Sequence, residues 1–183
     1  MNEIEGLVRE YGKFVRLPWD VSLAGPQRVW FAVYDPSQER RLRLRVSEFE
    51  TATGSAGHTW RLVDLTDAFA HWMAQHEYRE AYFEQPENME LALEDFAVAV
   101  IAQIREALTA PDVDSNTVVA VVGVASLFGL VRASAVLDQV TQYVRGRLLV
   151  FFPGQHEGSN YRLLDARDGW NYLAVPITAT EEK

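Results

Sequence analysis

The stretch "TVVAVVGV", Thr117–Val124, constrains the fold more than any other. A strand with one face in water alternates apolar and polar residues, whereas this run is apolar on both faces. Such a run belongs in the centre of a parallel sheet covered by helices on either side. Parallel neighbours need crossovers, so strands and helices must alternate along the chain. They do. "RVWFAVYD" from Arg28, "TWRLVDL" from Thr59 and "RLLVFF" from Arg147 read as further strands, rich in β-branched and aromatic residues. "YLAVPI" from Tyr172 reads as a fifth at the sheet edge, where Pro176 is tolerated.

Helical spacing fills the gaps. Ile4, Leu7, Val8, Tyr11 and Phe14 predict an amphipathic helix over about residues 2–16. Asp35-Pro36 supplies an N-cap and a proline at the first helical position, which predicts a helix from Pro36 to about Thr53. The alternation in "RLRLRV" would also suit a strand in a hairpin; the cap and the length favour the helix. Thr66 is placed to cap a helix that turns Phe69, Trp72 and Met73 inward, and "QHEYREAYFEQPENME" reads as a polar excursion outside the core. Leu93, Phe96, Val100, Ile104 and Leu108 lie on one apolar stripe, and Val136, Leu137, Val140 and Val144 on another. The expected fold is therefore α/β: a three-layer α/β/α sandwich with a mainly parallel sheet of four to five strands, forming one domain over residues 1–183.

Charge narrows the function. The 183 residues carry a formal net charge of −9, which opposes whole-surface binding to nucleic acid. "RRLRLR" is the local exception, with Arg40, Arg41, Arg43 and Arg45 in one short run. It is a solvated helix face countered by Glu39, Glu48 and Glu50, or a patch for an acidic partner or phosphate; nucleic acid is possible but not favoured. No cysteine is present, so disulfides and thiolate chemistry are out. No apolar run approaches the ~20 residues of a membrane span, and the acidic start does not read as a secretory signal, which together point to a cytoplasmic protein with no membrane partner.

In open parallel sheets ligands sit beyond the carboxyl ends of the strands. The turns expected there carry Asp35, Asp64, "GVASLFGLVR" with Gly123, Ser126 and Arg132, and "PGQHEGSNYR" with Pro153, Gly154, Tyr161 and Arg162. None completes a catalytic motif. "GVASLFG" lacks the Gly-Lys-Ser/Thr of a phosphate loop and the Gly-x-Gly-x-x-Gly of a dinucleotide turn, and Ser126 is not in a Gly-x-Ser-x-Gly elbow. Asp35 and Asp64 would share a magnesium ion only if their strands were neighbours; capping is the better role for Asp35. The histidines are scattered, so no metal site and no cofactor is expected. After a Pro-Gly stop and a polar loop, Arg162, Asp165, Arg167 and Asp168 read as a local ion-pair network, or as part of a binding site. Exposed aromatics such as Tyr161 and Trp170 would suit an interface.

"VVAVVGVASLFGLVRASAVLDQV" followed by "GRLLVFFPG" resembles the BrxB family of bacteriophage-exclusion (BREX) defence systems. "VYDPSQERRLRLRV", "LVDLTDAF" and the tail "NYRLLDARDGWNYLAVPI" extend the resemblance over most of residues 25–177. The resemblance implies a compact cytosolic α/β protein that works beside larger defence proteins: a PglZ-type protein of alkaline-phosphatase-like fold, an ATPase and a DNA methyltransferase. It carries over no catalytic residues. A non-catalytic module docking on those partners is the reading it favours; a nucleotide-binding or hydrolytic enzyme using Asp35, Asp64, Ser126 and the Gly154 loop is the alternative.

Overall fold

The run expected to be central, Thr117–Val124, is buried along its whole length in the computed structural model, which describes residues 1–167 and 169–179. β1 (Val29–Tyr34), β2 (Thr59–Asp64), β3 (Thr117–Val122), β4 (Arg147–Glu157) and β7 (Val175–Ile177) stand in the order β2-β3-β4-β1-β7. Every pairing along that path is parallel. β1 and β3 have no exposed residue, as a doubly covered strand requires.

Helices cover both faces. α1 (Glu3–Val15) and α2 (Glu39–Ser55) seal one side, where Leu7, Tyr11, Leu42 and Phe49 meet Trp30, Ala32, Val118, Leu149 and Phe151. α3 (Ala68–Gln75), α5 (Ala92–Leu108) and α6 (Ala133–Val140) lie on the other, with Phe96, Val100, Ile104, Val136 and Val140 against Phe31, Val119, Val150 and Phe152. The stripes read from the sequence are these buried faces. The three-layer α/β/α arrangement is therefore the observed one. α4 (Arg79–Glu84) and the turn after it, in the polar excursion, contribute no buried residue.

Local signals act as their chemistry demands. Asp35 accepts from the Ser37 N–H at 2.8 Å and opens a short 3₁₀ turn, Pro36–Gln38, that runs into α2. "RLRLRV" is helical, so the hairpin reading fails. Thr66 does not cap α3; it bonds Asp64 instead, its N–H donating to Oδ1 at 2.9 Å.

One element departs from expectation. The Pro-Gly pair does not stop β4, which continues to Glu157. Pro153 is the last residue in register with β1, opposite Tyr34, and its carbonyl accepts from the Leu164 N–H at 2.9 Å. From Gly154 onward β4 changes partner and runs antiparallel to β5 (Asn160–Leu163), which pairs in turn with β6 (Trp170–Asn171). A Cβ on Gly154 would lie 2.1 Å from the Arg162 carbonyl oxygen, so only glycine lets β5 approach. The expected polar loop is thus a hairpin and adds two strands to the sheet.

Candidate functional site

The carboxyl end of the sheet has a switch point. β1 exits to α2 on one face and its neighbour β4 exits to the hairpin on the other, which is where open α/β sheets form their crevice. A cavity of about 540 Å³ opens there, walled by Tyr34, Asp35, Gly154, His156 and the start of α1. Glu3 on α1 accepts from the Asp35 N–H at 2.9 Å, so the helix start is pinned across the crevice. Asn2 and Glu5 cap each other's backbone, which occupies donors a ligand would otherwise find. Donation from the Ser37 side chain and N–H holds the Asp35 carboxyl below its usual range. Below it the Tyr34 hydroxyl donates to Glu39; burial, then that carboxylate, raises the phenol's pKa. His156 Nδ1 is buried with no hydrogen-bond partner among the described residues.

The other predicted residues are dispersed. Asp64 is separated from Asp35 by the whole width of β3 and β4, about 14 Å at the usual strand spacing. The shared magnesium site is excluded by that order. Asp64 faces a different cavity with Asp67, His71 and Gln103, and Arg43 lies 3.8 Å away. Gly123 takes φ +87° above Thr66, whose N–H an added Cβ would meet at 2.7 Å, so its role is the tight turn into Val124–Leu127. Ser126 is part of that turn, its N–H donating to the Gly123 carbonyl at 3.0 Å.

The tail corrects two expectations. Tyr161 is fully buried, not exposed: its ring stands edge-on to Phe31 at 4.5 Å and its hydroxyl donates to the Ala174 carbonyl at 2.9 Å. Burial pushes its pKa up to about 12. Among the described residues, Arg162, Asp165 and Arg167 form no ion pair with one another, because β5 turns Arg162 outward beside Gln155; Asp168 lies outside the described residues. Trp170 is partly buried against the core, 5.6 Å from Phe152. The inner face of the β4-β5-β6 unit carries Gly154, Tyr161 and Leu163, all buried; its outer face carries Gln155, Glu157, Asn160, Arg162 and Asn171, all exposed.

Arg132 reaches a third cavity, of about 400 Å³, between the start of α6 and the hairpin, together with Arg167, Phe128 and Trp170. Arg132 and Trp170 lie far apart in the sequence and approach only when β5 and β6 fold back over β4. Two of the four arginines of the basic run are paired with carboxylates. Arg43 bonds Glu39 at 2.8 Å, Arg45 bonds Glu5 at 2.9 Å and Glu48 at 3.4 Å, and Arg41 bonds Gln38 at 2.7 Å, while Arg40 stays exposed. Glu5 comes from α1, a partner no local pattern reveals.

The model of the family described as BREX protein BrxB matches residues 62–177. The chain belongs to the BrxB family. It is accordingly a component of BREX phage defence. No curated protein and no solved structure matches it. The BrxB match begins inside β2 and ends with β7, so it takes in β3, α6, the hairpin and the Arg132 cavity. α1, β1 and α2 precede it, and with them the "VYDPSQERRLRLRV" part of the resemblance. No helix of the described residues is long and apolar enough to cross a membrane.

Proposed function

We propose that this BrxB chain is a non-catalytic docking component that works in the cytoplasm and engages a larger BREX protein through the outer face of the β4-β5-β6 unit. The observation that carries this reading is the two-sidedness of that unit. Its inner residues anchor it to the core through Tyr161, Leu163 and Trp170, while Gln155, Glu157, Asn160, Arg162 and Asn171 stand exposed on the other face. A platform whose backbone is already held in a strand ladder has little backbone freedom left to lose on binding, which favours specific association. The dispersal of Asp35, Asp64 and Ser126 supports the same reading, because acid, base and nucleophile must converge to catalyse. The pairing of Arg43 and Arg45 with glutamates weakens the nucleic-acid reading.

The partners the family resemblance suggests are the PglZ-like protein, the ATPase or the methyltransferase. Co-purification with the tagged chain from cells carrying the whole system tests the proposal. Arg162→Glu with Asn160→Ala is expected to abolish capture of one of these proteins with the thermal melt unchanged. Undiminished capture by the double variant overturns it.

A further inference from the structure

The cavity between α6 and the hairpin combines features that the docking reading does not use. Its described walls include two cations, Arg132 and Arg167, and no carboxylate, on a chain of net charge −9. Both arginines are exposed, and neither donates to a carboxylate or any other group among the described residues. In contrast, Arg43, Arg45 and Arg61 each hold a carboxylate oxygen within 3.0 Å. The Trp170 indole nitrogen in the same wall is buried with no hydrogen-bond partner among the described residues. Ser134 adds a hydroxyl, and Arg132, at the N-cap of α6, gives that helix no side-chain cap. The remaining wall is apolar: Leu163, Trp170 and Phe128, the last 44% exposed at the rim.

We infer that this cavity binds an organic phosphate of mononucleotide size, its phosphoryl group between Arg132 and Arg167 and its planar group on Phe128 and Trp170. Guanidinium forks match the paired oxygens of a phosphoryl group, and two of them suit a dianion better than a single carboxylate. Exposed aromatic faces accept any base by stacking. The volume of about 400 Å³ lies near the small end of ligand sites, which run from about 300 to 1,000 Å³. The inference is of binding alone and includes no hydrolytic step. The inference goes beyond docking: it concerns the isolated chain and different side chains.

Calorimetric titration of the purified chain with AMP, adenosine and inorganic phosphate tests it. AMP is expected to bind, with adenosine and phosphate each weaker by about tenfold or more, because each supplies half of the contacts. Arg132→Gln with Arg167→Gln should weaken AMP by about tenfold or more and leave adenosine unaffected, whereas Phe128→Ala should weaken AMP and leave phosphate unaffected. A thermal melt confirms that these surface variants stay folded. Absence of AMP binding, or equal AMP affinity in the double variant, overturns the inference. So does equal binding of phosphate and AMP, which marks a bare anion patch, or a polyglutamate peptide that binds more tightly than AMP and is lost in the double variant. Docking and ligand binding fail separately: Arg162→Glu leaves AMP titration untouched, and Phe128→Ala leaves partner capture untouched.

Discussion

Substitution at two adjacent positions of β5 decides whether the tail is core or surface. Tyr161 is fully buried, edge-on to Phe31 at 4.5 Å and near Phe152 at 5.8 Å, and its hydroxyl is bonded to the Ala174 carbonyl. Tyr161→Phe removes only that hydroxyl and leaves the carbonyl unpaired, a cost of about 1–2 kcal/mol. Tyr161→Ala also empties the ring's volume between two phenylalanines, for about 3–5 kcal/mol. At about 2–4 °C per kcal/mol for a chain of this size, the melting temperature falls by about 2–8 °C for the first and about 6–20 °C for the second. Arg162→Ala, one residue on and facing out beside Gln155, should move it by less than about 2 °C. Differential scanning calorimetry of the three variants reads all of this. A period of two is a property of the β5 register, so a slip of one residue would reverse the ranking. Equal losses at 161 and 162, or an unchanged melt for Tyr161→Ala, would refute the burial and the hairpin together.

Gly154→Ala places a Cβ 2.1 Å from the Arg162 carbonyl, so β5 must withdraw; a destabilisation of about 1–3 kcal/mol by urea titration, with faster amide exchange at Leu163, is expected. Arg147 is buried, bonded to the Asp20 and Gly146 carbonyls, with its guanidinium 4.9 Å over Trp19; Arg147→Lys cannot reproduce the planar stack and should lower the urea midpoint. Hydrogen bonds lower the pKa values of Glu5, Asp20 and Asp35, so each contributes stability above its unfolded value that is lost as pH falls through the folded one. Urea midpoints should therefore drop below about pH 4, and less steeply in the Glu5→Gln, Asp20→Asn, Asp35→Asn triple variant; a parallel decline contradicts the assignment.

The parallel sheet and its two helical layers are legible in local patterns of the chain. Doubly apolar runs such as "TVVAVVGV" and the 3.6-residue stripe of Phe96, Val100 and Ile104 are local patterns, and a strand or helix displays its buried face within its own span. The Asp35-Pro36 signal was legible for the same reason, since a cap acts over three residues. Pairings between distant segments were decided by the tertiary structure. Strand order places β3 and β4 between Asp35 and Asp64; α1 brings Glu5 to Arg45; and β5 turns back to bury Tyr161 and to set Arg167 and Trp170 beside Arg132. The Pro-Gly pair read as a stop, yet β4 runs on through Pro153, whose carbonyl accepts from the Leu164 N–H, and Gly154 makes room for β5. Such contacts depend on which strands become neighbours, a choice made by the collective burial of many residues and written in no single stretch of chain.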